Sequence, residues 1–117
     1  MILSVGRIAP TKNQKVLLEA VDALVNRNNF KSFEIKIVGA PILKQDFDYL
    51  KKLEEFTAEN KLEKFIEFTG SVPYEKIGEY YFNADVFVHL SKTGSVDKVV
   101  LEAMASGIPV FSSSEAF

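Results

Sequence analysis

One acidic residue, Glu102, interrupts an otherwise apolar segment, "VVLEAMA", near the end of this 117-residue chain. The segment predicts a helix that is apolar on all sides, and such helices are buried. A buried carboxylate is costly unless it is paired or hydrogen-bonded. Lys98, four residues earlier, could pair with Glu102 on an exposed strip of the helix. A ligand with hydroxyl groups is the alternative partner, because an ionised carboxylate only accepts hydrogen bonds.

Two cations, Arg7 and Lys12, lie in the loop and first helical turn that follow the first predicted strand. A lysine at a helix N-terminus opposes the helix dipole, whereas a bound phosphate would be attracted by the helix amides and by both cations. Two solvated surface charges remain the alternative explanation. The chain contains neither a GxGxxG nor a GxxxxGK[ST] pattern, which argues against a dinucleotide fingerprint and a Walker loop.

Glycine follows each of the first three predicted strands, at Gly6, Gly39 and Gly70, and "SKTGS" follows the fourth. Ligands of open α/β sheets bind outside the carboxyl ends of the strands. Glycine allows close approach of the backbone to a ligand, but it also allows tight turns. Four such positions along one edge favour a binding site over turns alone.

The elements that would position these residues alternate along the chain. Strands are predicted, from β-branched and aromatic content, at Ile2 to Val5, Phe33 to Val38, Phe65 to Phe68, Val86 to Leu90 and Pro109 to Ser113. Most are largely apolar, as in parallel strands covered on both faces. The second, "FEIKIV", alternates and is therefore predicted nearer an edge.

Helices are predicted between the strands from apolar residues at three- and four-residue spacing. The first begins at Lys12, with Thr11 and Gln14 as a capping box, and the second ends at about Glu59. The third and fourth span Tyr74 to Phe82 and Lys98 to Ser106, the fourth ending at Gly107. This alternation predicts a Rossmann-like, three-layer α/β/α fold with a parallel sheet of about five strands.

Composition excludes several classes of function. A net charge of −2 argues against nucleic acid as a partner. The absence of cysteine excludes disulfides and thiolate metal sites, and favours an intracellular setting. No apolar run approaches the length of a membrane span, and no signal peptide is recognised. The single histidine, His89, fits a structural role better than contact with a substrate, and we predict no metal site.

Four segments, in order, resemble the donor-binding, C-terminal domain of retaining glycosyltransferases of family 4, which have the GT-B fold. They are "VGRIAPTKN", "KIVGAP", "FIEFTGSVPYEKIGEYYFNADVFVHLSKTGS" and "VVLEAMASGIPV". The most specific part is "VLEAMASGIPV" following "ADVFVHLS". The resemblance implies a nucleotide-diphosphate sugar as donor, with Arg7 and Lys12 holding its diphosphate and Glu102 accepting hydrogen bonds from its ribose hydroxyls.

The resemblance also implies roles for three further positions. The loop around Val72 would lie against the nucleotide base, and the backbone of Ser95 and Val96 would face the phosphate and sugar. One position departs from the family. Gly94 stands where an acid that contacts the donor sugar is usual, and the nearby Asp97 does not match that position. Gly94 therefore favours a changed specificity for the donor sugar over a loss of activity.

On this resemblance, residues 1–117 are a truncated nucleotide-sugar-binding half, without the N-terminal acceptor domain and the C-terminal tail. We expect the full-length protein to transfer a sugar with retention, and the isolated chain, which holds no complete catalytic set, to be inactive. No cofactor or metal is expected. A cytoplasmic location is expected, with peripheral membrane contact of the full-length protein left open. The alternative is a non-catalytic module that binds a nucleotide or a protein partner, which Gly94 favours.

Overall fold

The computed structural model describes residues 1–91 and 98–113. Within these residues five strands are formed: β1 Ile2–Val5, β2 Ile35–Val38, β3 Ile66–Gly70, β4 Val86–His89 and β5 Val110–Ser112. Each overlaps its predicted run, and β1 has the predicted bounds. All neighbouring strands are parallel, and their order in the sheet is β3-β2-β1-β4-β5.

In the described part of the chain, four α-helices connect the strands: α1 Gln14–Asp22, α2 Lys44–Glu59, α3 Tyr74–Asn83 and α4 Lys98–Ala105. The first is extended by a wider π-helical turn, Ala23–Arg27, and preceded by a 3₁₀ turn, Pro10–Lys12. The fourth ends at Ala105, one residue before the predicted end, and Gly107 follows it in the left-handed region at φ 78°.

Two hydrophobic clusters lie on opposite faces of the sheet. Side chains of α1 and α2, such as Leu18 and Leu53, pack against Ile35 and Ile37 of β2 on one face. Side chains of α3 and α4 pack on the other face against a cluster that includes Leu3 and Phe87 of the central strands. Because both faces are covered by helices, the fold is the predicted three-layer, Rossmann-like α/β/α arrangement.

The predicted start of the first helix is wrong. Lys12 belongs to the 3₁₀ turn, and Asn13, with φ 58°, separates this turn from α1. The Gln14 side chain does not form a capping box; its Nε2 donates to the backbone oxygen of Arg7 at 3.0 Å. Gln14 is buried, so its amide is used to satisfy a carbonyl in the preceding loop. Lys12 is therefore not a helix-terminal residue, and the dipole argument does not apply to it.

The second strand, predicted nearer an edge, lies next to the edge strand β3 and pairs with the central β1 on its other side. The alternation that suggested an edge comes from Lys36. This lysine is only half-buried, and its Nζ lies 5.7 Å from the centre of the Tyr80 ring on α3. An aromatic ring and a flexible aliphatic stem let an interior strand carry a lysine.

In the part of the chain that the structure describes, no helix is long and apolar enough to cross a membrane.

Candidate functional site

The loops at the carboxyl ends of β1, β2 and β3 are joined by backbone hydrogen bonds. Gly6 N donates to Val38 O at 2.9 Å, and Gly39 N donates to Gly70 O at 3.0 Å. A Cβ atom on Gly39 would lie only 1.8 Å from Gly6 O, whereas one on Gly6 would meet nothing within 4 Å. Gly39 is thus required for close backbone packing, and Gly6 leaves open space at the edge of the sheet.

A cleft of about 400 Å³ opens beside Gly6, at the position where the strand order reverses between β1 and β4. In a doubly wound sheet this is the preferred position for a ligand. The residues that line it are Val5, Gly6, Arg7, Thr11, Lys12, Lys98 and Val99. The end of β4 is tied to this loop by Ser91, whose hydroxyl donates to Thr11 O at 3.4 Å.

The cleft is lined by three cationic side chains and, among the described residues, by no acidic one. The sequence predicts Arg7 and Lys12 at this site, but it predicts Lys98 only as a partner of Glu102. No ion pair joins Lys98 to Glu102 in the described part of the structure. A basic residue in the first turn of α4, directly after the glycine-containing loop, is the signal that could have identified Lys98. The charge of this cleft suits an anion.

Arg7 is held by a buried acid that sequence reasoning missed. Its Nε lies 3.6 Å from Oδ2 of Asp46, whose side chain has no exposed surface. Asp46 is in the first turn of α2, where its Oδ2 also accepts a hydrogen bond from Leu43 N at 3.0 Å. In the sequence, an acid in the first turn of a helix indicates only a favourable interaction with the helix N-terminus. The pairing of Asp46 with Arg7 is seen only in the tertiary structure.

Glu102 is less buried than predicted. On α4 only Val100 and Ala103 are buried, while the side chains of Leu101 and Met104 are about half exposed, at 49% and 55%. The prediction of a helix buried on every side is therefore wrong, because α4 packs on the sheet through Val100 and Ala103 and leaves Leu101 and Met104 exposed. Glu102 is partly buried and does not line the cleft.

The remaining predicted site residues are not brought into this cleft. Val72, in the loop between β3 and α3, is partly buried and packs against the cluster under α3 and α4. Gly94, Ser95 and Val96 lie outside the described residues. The structure thus brings Arg7 and Lys12 together with Lys98, and leaves the roles of the other positions as predictions.

His89 is buried at the end of β4, where its ring stacks on Phe87 with 6.4 Å between centroids. This environment agrees with the structural role expected for it. Within residues 1–91 and 98–113, no group of three or more His, Asp or Glu side chains is placed to hold a metal ion.

Comparison with known proteins assigns this architecture to a family. Residues 1–117, the whole chain, match the family described as "Glycosyl transferases group 1". The chain belongs to this family.

The curated relatives that the group 1 chain matches are themselves named enzymes. It is 29% identical over 109 residues to the mannosylfructose-phosphate synthase of Agrobacterium fabrum, covering 93% of the chain and 24% of that enzyme. It is 33% identical over 112 residues to the D-inositol 3-phosphate glycosyltransferase of Geodermatophilus obscurus, and this match covers 94% of the chain and 25% of that enzyme. The chain therefore spans about a quarter of the length of these relatives.

Solved structures of the same fold include complexes with a nucleotide. The crystal structure of Anabaena HepE in complex with UDP aligns with a TM-score of 0.78 at 25% identity, over 93% of the chain and 28% of HepE. The C-terminal domain of the group 1 family protein LpcC from Francisella tularensis aligns with a TM-score of 0.77 at 23% identity. This alignment covers 95% of the chain and 56% of the LpcC domain structure. The second likeness shows the fold alone.

A hydrogen bond from Tyr81 links α3 to α4 in this group 1 domain, and the ionisation of Tyr81 should make the free energy of unfolding depend on pH in the alkaline range. Its hydroxyl donates to Val99 O at 3.2 Å. Burial raises its pKa well above the ordinary value of 10.0, and the charges of Glu102 and Tyr74 raise it further. The unfolded chain therefore loses this proton first, so the contribution of Tyr81 to stability is complete below pH 10 and decreases above it.

The free energy of unfolding of the wild type should decrease as the pH rises above about 10. We expect this decrease to be smaller in Tyr81→Phe, which lacks the ionisable hydroxyl. Urea unfolding at a series of alkaline pH values would measure the slope for the wild type and the variant. Tyr49, whose pKa burial also raises, supplies an independent comparison, because Tyr49→Phe should reduce the slope in the same direction. An unchanged slope in Tyr81→Phe would contradict the assignment.

Proposed function

We propose that this chain is the nucleotide-sugar-binding, C-terminal-type domain of a retaining, family 4 glycosyltransferase with the GT-B fold. The full-length protein would transfer a sugar from a nucleotide-diphosphate sugar to an acceptor. The observation that carries the proposal is the cleft at the strand-order reversal, where Arg7, Lys12 and Lys98 converge without an acid among the described residues. The UDP complex of HepE and the names of the curated relatives support it.

The chemistry of the cleft fits a diphosphate leaving group. When the bond between the anomeric carbon and the phosphate oxygen breaks, negative charge develops on the departing diphosphate. Cations fixed beside that charge stabilise the transition state more than the ground state. Arg7 can donate two parallel hydrogen bonds to one phosphate, while Lys12 and Lys98 act as point charges. We propose that these three cations neutralise the diphosphate and that no metal or other cofactor is required.

The other contacts of the donor rest on the resemblance to the family. Glu102 lies one helical turn after Lys98, on the same side of α4, and would accept hydrogen bonds from the ribose hydroxyls. Val72 would lie against the base. The backbone of Ser95 and Val96 would face the phosphate and the sugar.

On the family resemblance, the acceptor would bind on a separate N-terminal domain, and residues 1–117 correspond to about a quarter of the relatives' length. On this proposal the isolated chain binds the donor weakly and transfers nothing. A cytoplasmic location, with peripheral membrane contact of the full-length protein, stays a prediction.

Titration of the 117-residue chain with UDP, GDP and ADP, followed by backbone amide NMR, would test donor binding. We expect shifts at Gly6 to Asn13 and at the start of α4, and smaller shifts with uridine, which lacks phosphate. Lys12→Gln should raise the dissociation constant about tenfold, since it removes a charge-assisted contact. Lys51→Gln, on the exposed surface of α2, is the matched control. Unmoved amides in both segments at millimolar nucleotide would exclude the proposal.

A second candidate, a non-catalytic module, is favoured by one residue. Gly94 replaces the acid that the family uses at the donor sugar. If the full-length protein binds a nucleotide sugar without turnover, and Gly94→Glu produces turnover, the non-catalytic function is correct. Turnover in the wild type that Glu102→Ala reduces would instead support the transferase.

A further inference from the structure

Asp46 is a buried acid for which neither the sequence nor the family resemblance supplies a role. Its side chain has no exposed surface, and an isolated charge in such a position is strongly unfavourable. Its location is on the connection after β2, whereas Arg7 is on the connection after β1. The two side chains are brought together only because these strands are neighbours in the sheet.

The contacts of Asp46 are unequal between its two oxygens. Oδ2 accepts hydrogen bonds from Leu43 N at 3.0 Å and Ile42 N at 3.3 Å, and it lies 3.6 Å from Arg7 Nε. Oδ1 is buried and has no hydrogen-bond partner among the described residues. The two backbone hydrogen bonds and the ion pair with Arg7 are therefore all made by Oδ2.

The guanidinium of Arg7 is buried on the side that faces Asp46. Nε is buried without a hydrogen bond, although the side chain as a whole keeps 38% of its surface exposed. The exposed surface therefore lies elsewhere on the side chain, and neither Nη atom donates a hydrogen bond to a described residue. Arg7 also lines the cationic cleft. The Nε side of the guanidinium thus faces Asp46, and the terminal Nη edge is available to a ligand.

Arg7 is held a second time through its backbone. The amide of the buried Gln14 donates from Nε2 to Arg7 O at 3.0 Å. The main chain of Arg7 is thus anchored from α1, and its guanidinium is anchored from α2. An arginine restrained at both ends loses less conformational freedom when it binds an anion, which raises affinity through preorganisation.

We infer that Asp46 is a positioning residue that orients the Nη edge of Arg7 toward the diphosphate of the bound donor. This inference rests on the proposed function, because it concerns the same cleft. The attraction between Asp46 and Arg7 keeps the Nε side of the guanidinium turned toward α2, and the direction of the Nη edge decides whether two parallel hydrogen bonds reach one phosphate.

Asp46→Asn tests this inference, because loss of the negative charge and loss of the orientation of Arg7 should change the affinity for UDP in opposite directions. Asparagine retains an oxygen that can accept the hydrogen bond from Leu43 N, so the contact with the start of α2 can be kept. Removal of a negative charge beside Arg7 should by itself strengthen binding of UDP to the 117-residue chain. Loss of orientation should weaken it, and we expect the dissociation constant to rise about tenfold. Asp48→Asn, exposed on the same helix, should leave the constant unchanged.

Two further measurements separate positioning from a structural role. In an Arg7→Ala background, Asp46→Asn should have no additional effect on UDP affinity, because Asp46 acts through Arg7. In the wild-type chain without UDP, the Nε–H signal of Arg7 should exchange slowly with solvent and show little motion by NMR. This second measurement does not depend on the folding of any variant.

The outcomes distinguish failure of the inference from failure of the proposed function. Unchanged or tighter UDP binding in Asp46→Asn, or a mobile and rapidly exchanging Arg7 Nε–H in the wild type, would overturn the inference and leave donor binding intact. Absence of UDP, GDP and ADP binding by the wild-type chain would overturn the proposed function and, with it, this inference.

Discussion

Gly39→Ala is expected to lower the free energy of unfolding by about 3 kcal/mol or more, a magnitude typical of severe overpacking combined with backbone strain. The new Cβ would lie 1.8 Å from Gly6 O and 2.8 Å from Gly6 C, both of which are backbone atoms that no side-chain rotation can move. Gly39 also has φ +139°, a conformation that residues with a side chain rarely adopt. Relief would require β1 and β2 to separate at the edge where the candidate site lies.

Urea unfolding of the variant would measure this change. Gly78→Ala is the matched control, since Gly78 lies within α3 and a Cβ there would meet nothing within 4 Å. That substitution should leave stability unchanged or raise it by about 0.5–1 kcal/mol, because alanine favours a helix more than glycine does. If both variants were equally stable, the close approach of Gly39 to Gly6 would not exist in solution.

Arg7→Ala in the full-length protein should lower kcat/KM for sugar transfer about a hundredfold, the usual effect of removing one donor that stabilises developing charge. The physical reason is the position of Arg7 in the cationic cleft, where it is oriented by Asp46 and Gln14. Because Lys12 and Lys98 would still hold the diphosphate, activity should be reduced without being abolished. This expectation rests on the proposed transferase function.

Steady-state kinetics with a nucleotide-sugar donor would measure the effect. Arg27→Ala is a suitable control, since Arg27 is exposed at the end of the turn that extends α1. This end of the helix is distant from the strand ends, because α1 begins beside the cleft and runs away from it. A change of less than twofold in Arg7→Ala would show that Arg7 does not contact the donor.

The sequence by itself determined the class of the fold. Apolar runs bounded by glycine and the helical spacing between them depend on neighbours a few residues apart, so local patterns were enough to find five strands and four helices. The resemblance carried by "VLEAMASGIPV" predicted the family that the match over residues 1–117 shows. Arg7 and Lys12 could be identified as a pair because both lie in one short connection after β1.

Only the tertiary structure decided which distant residues meet. Pairing between strands makes β3, and not the alternating β2, the edge strand on that side of the sheet. It also brings Asp46 to Arg7 and places Lys98 in the same cleft as Lys12. These contacts join segments far apart in the chain, so no local pattern encodes them. The exposed face of α4 is likewise decided by contacts with distant segments. Burial of a helix depends on what packs against it and not on its composition alone.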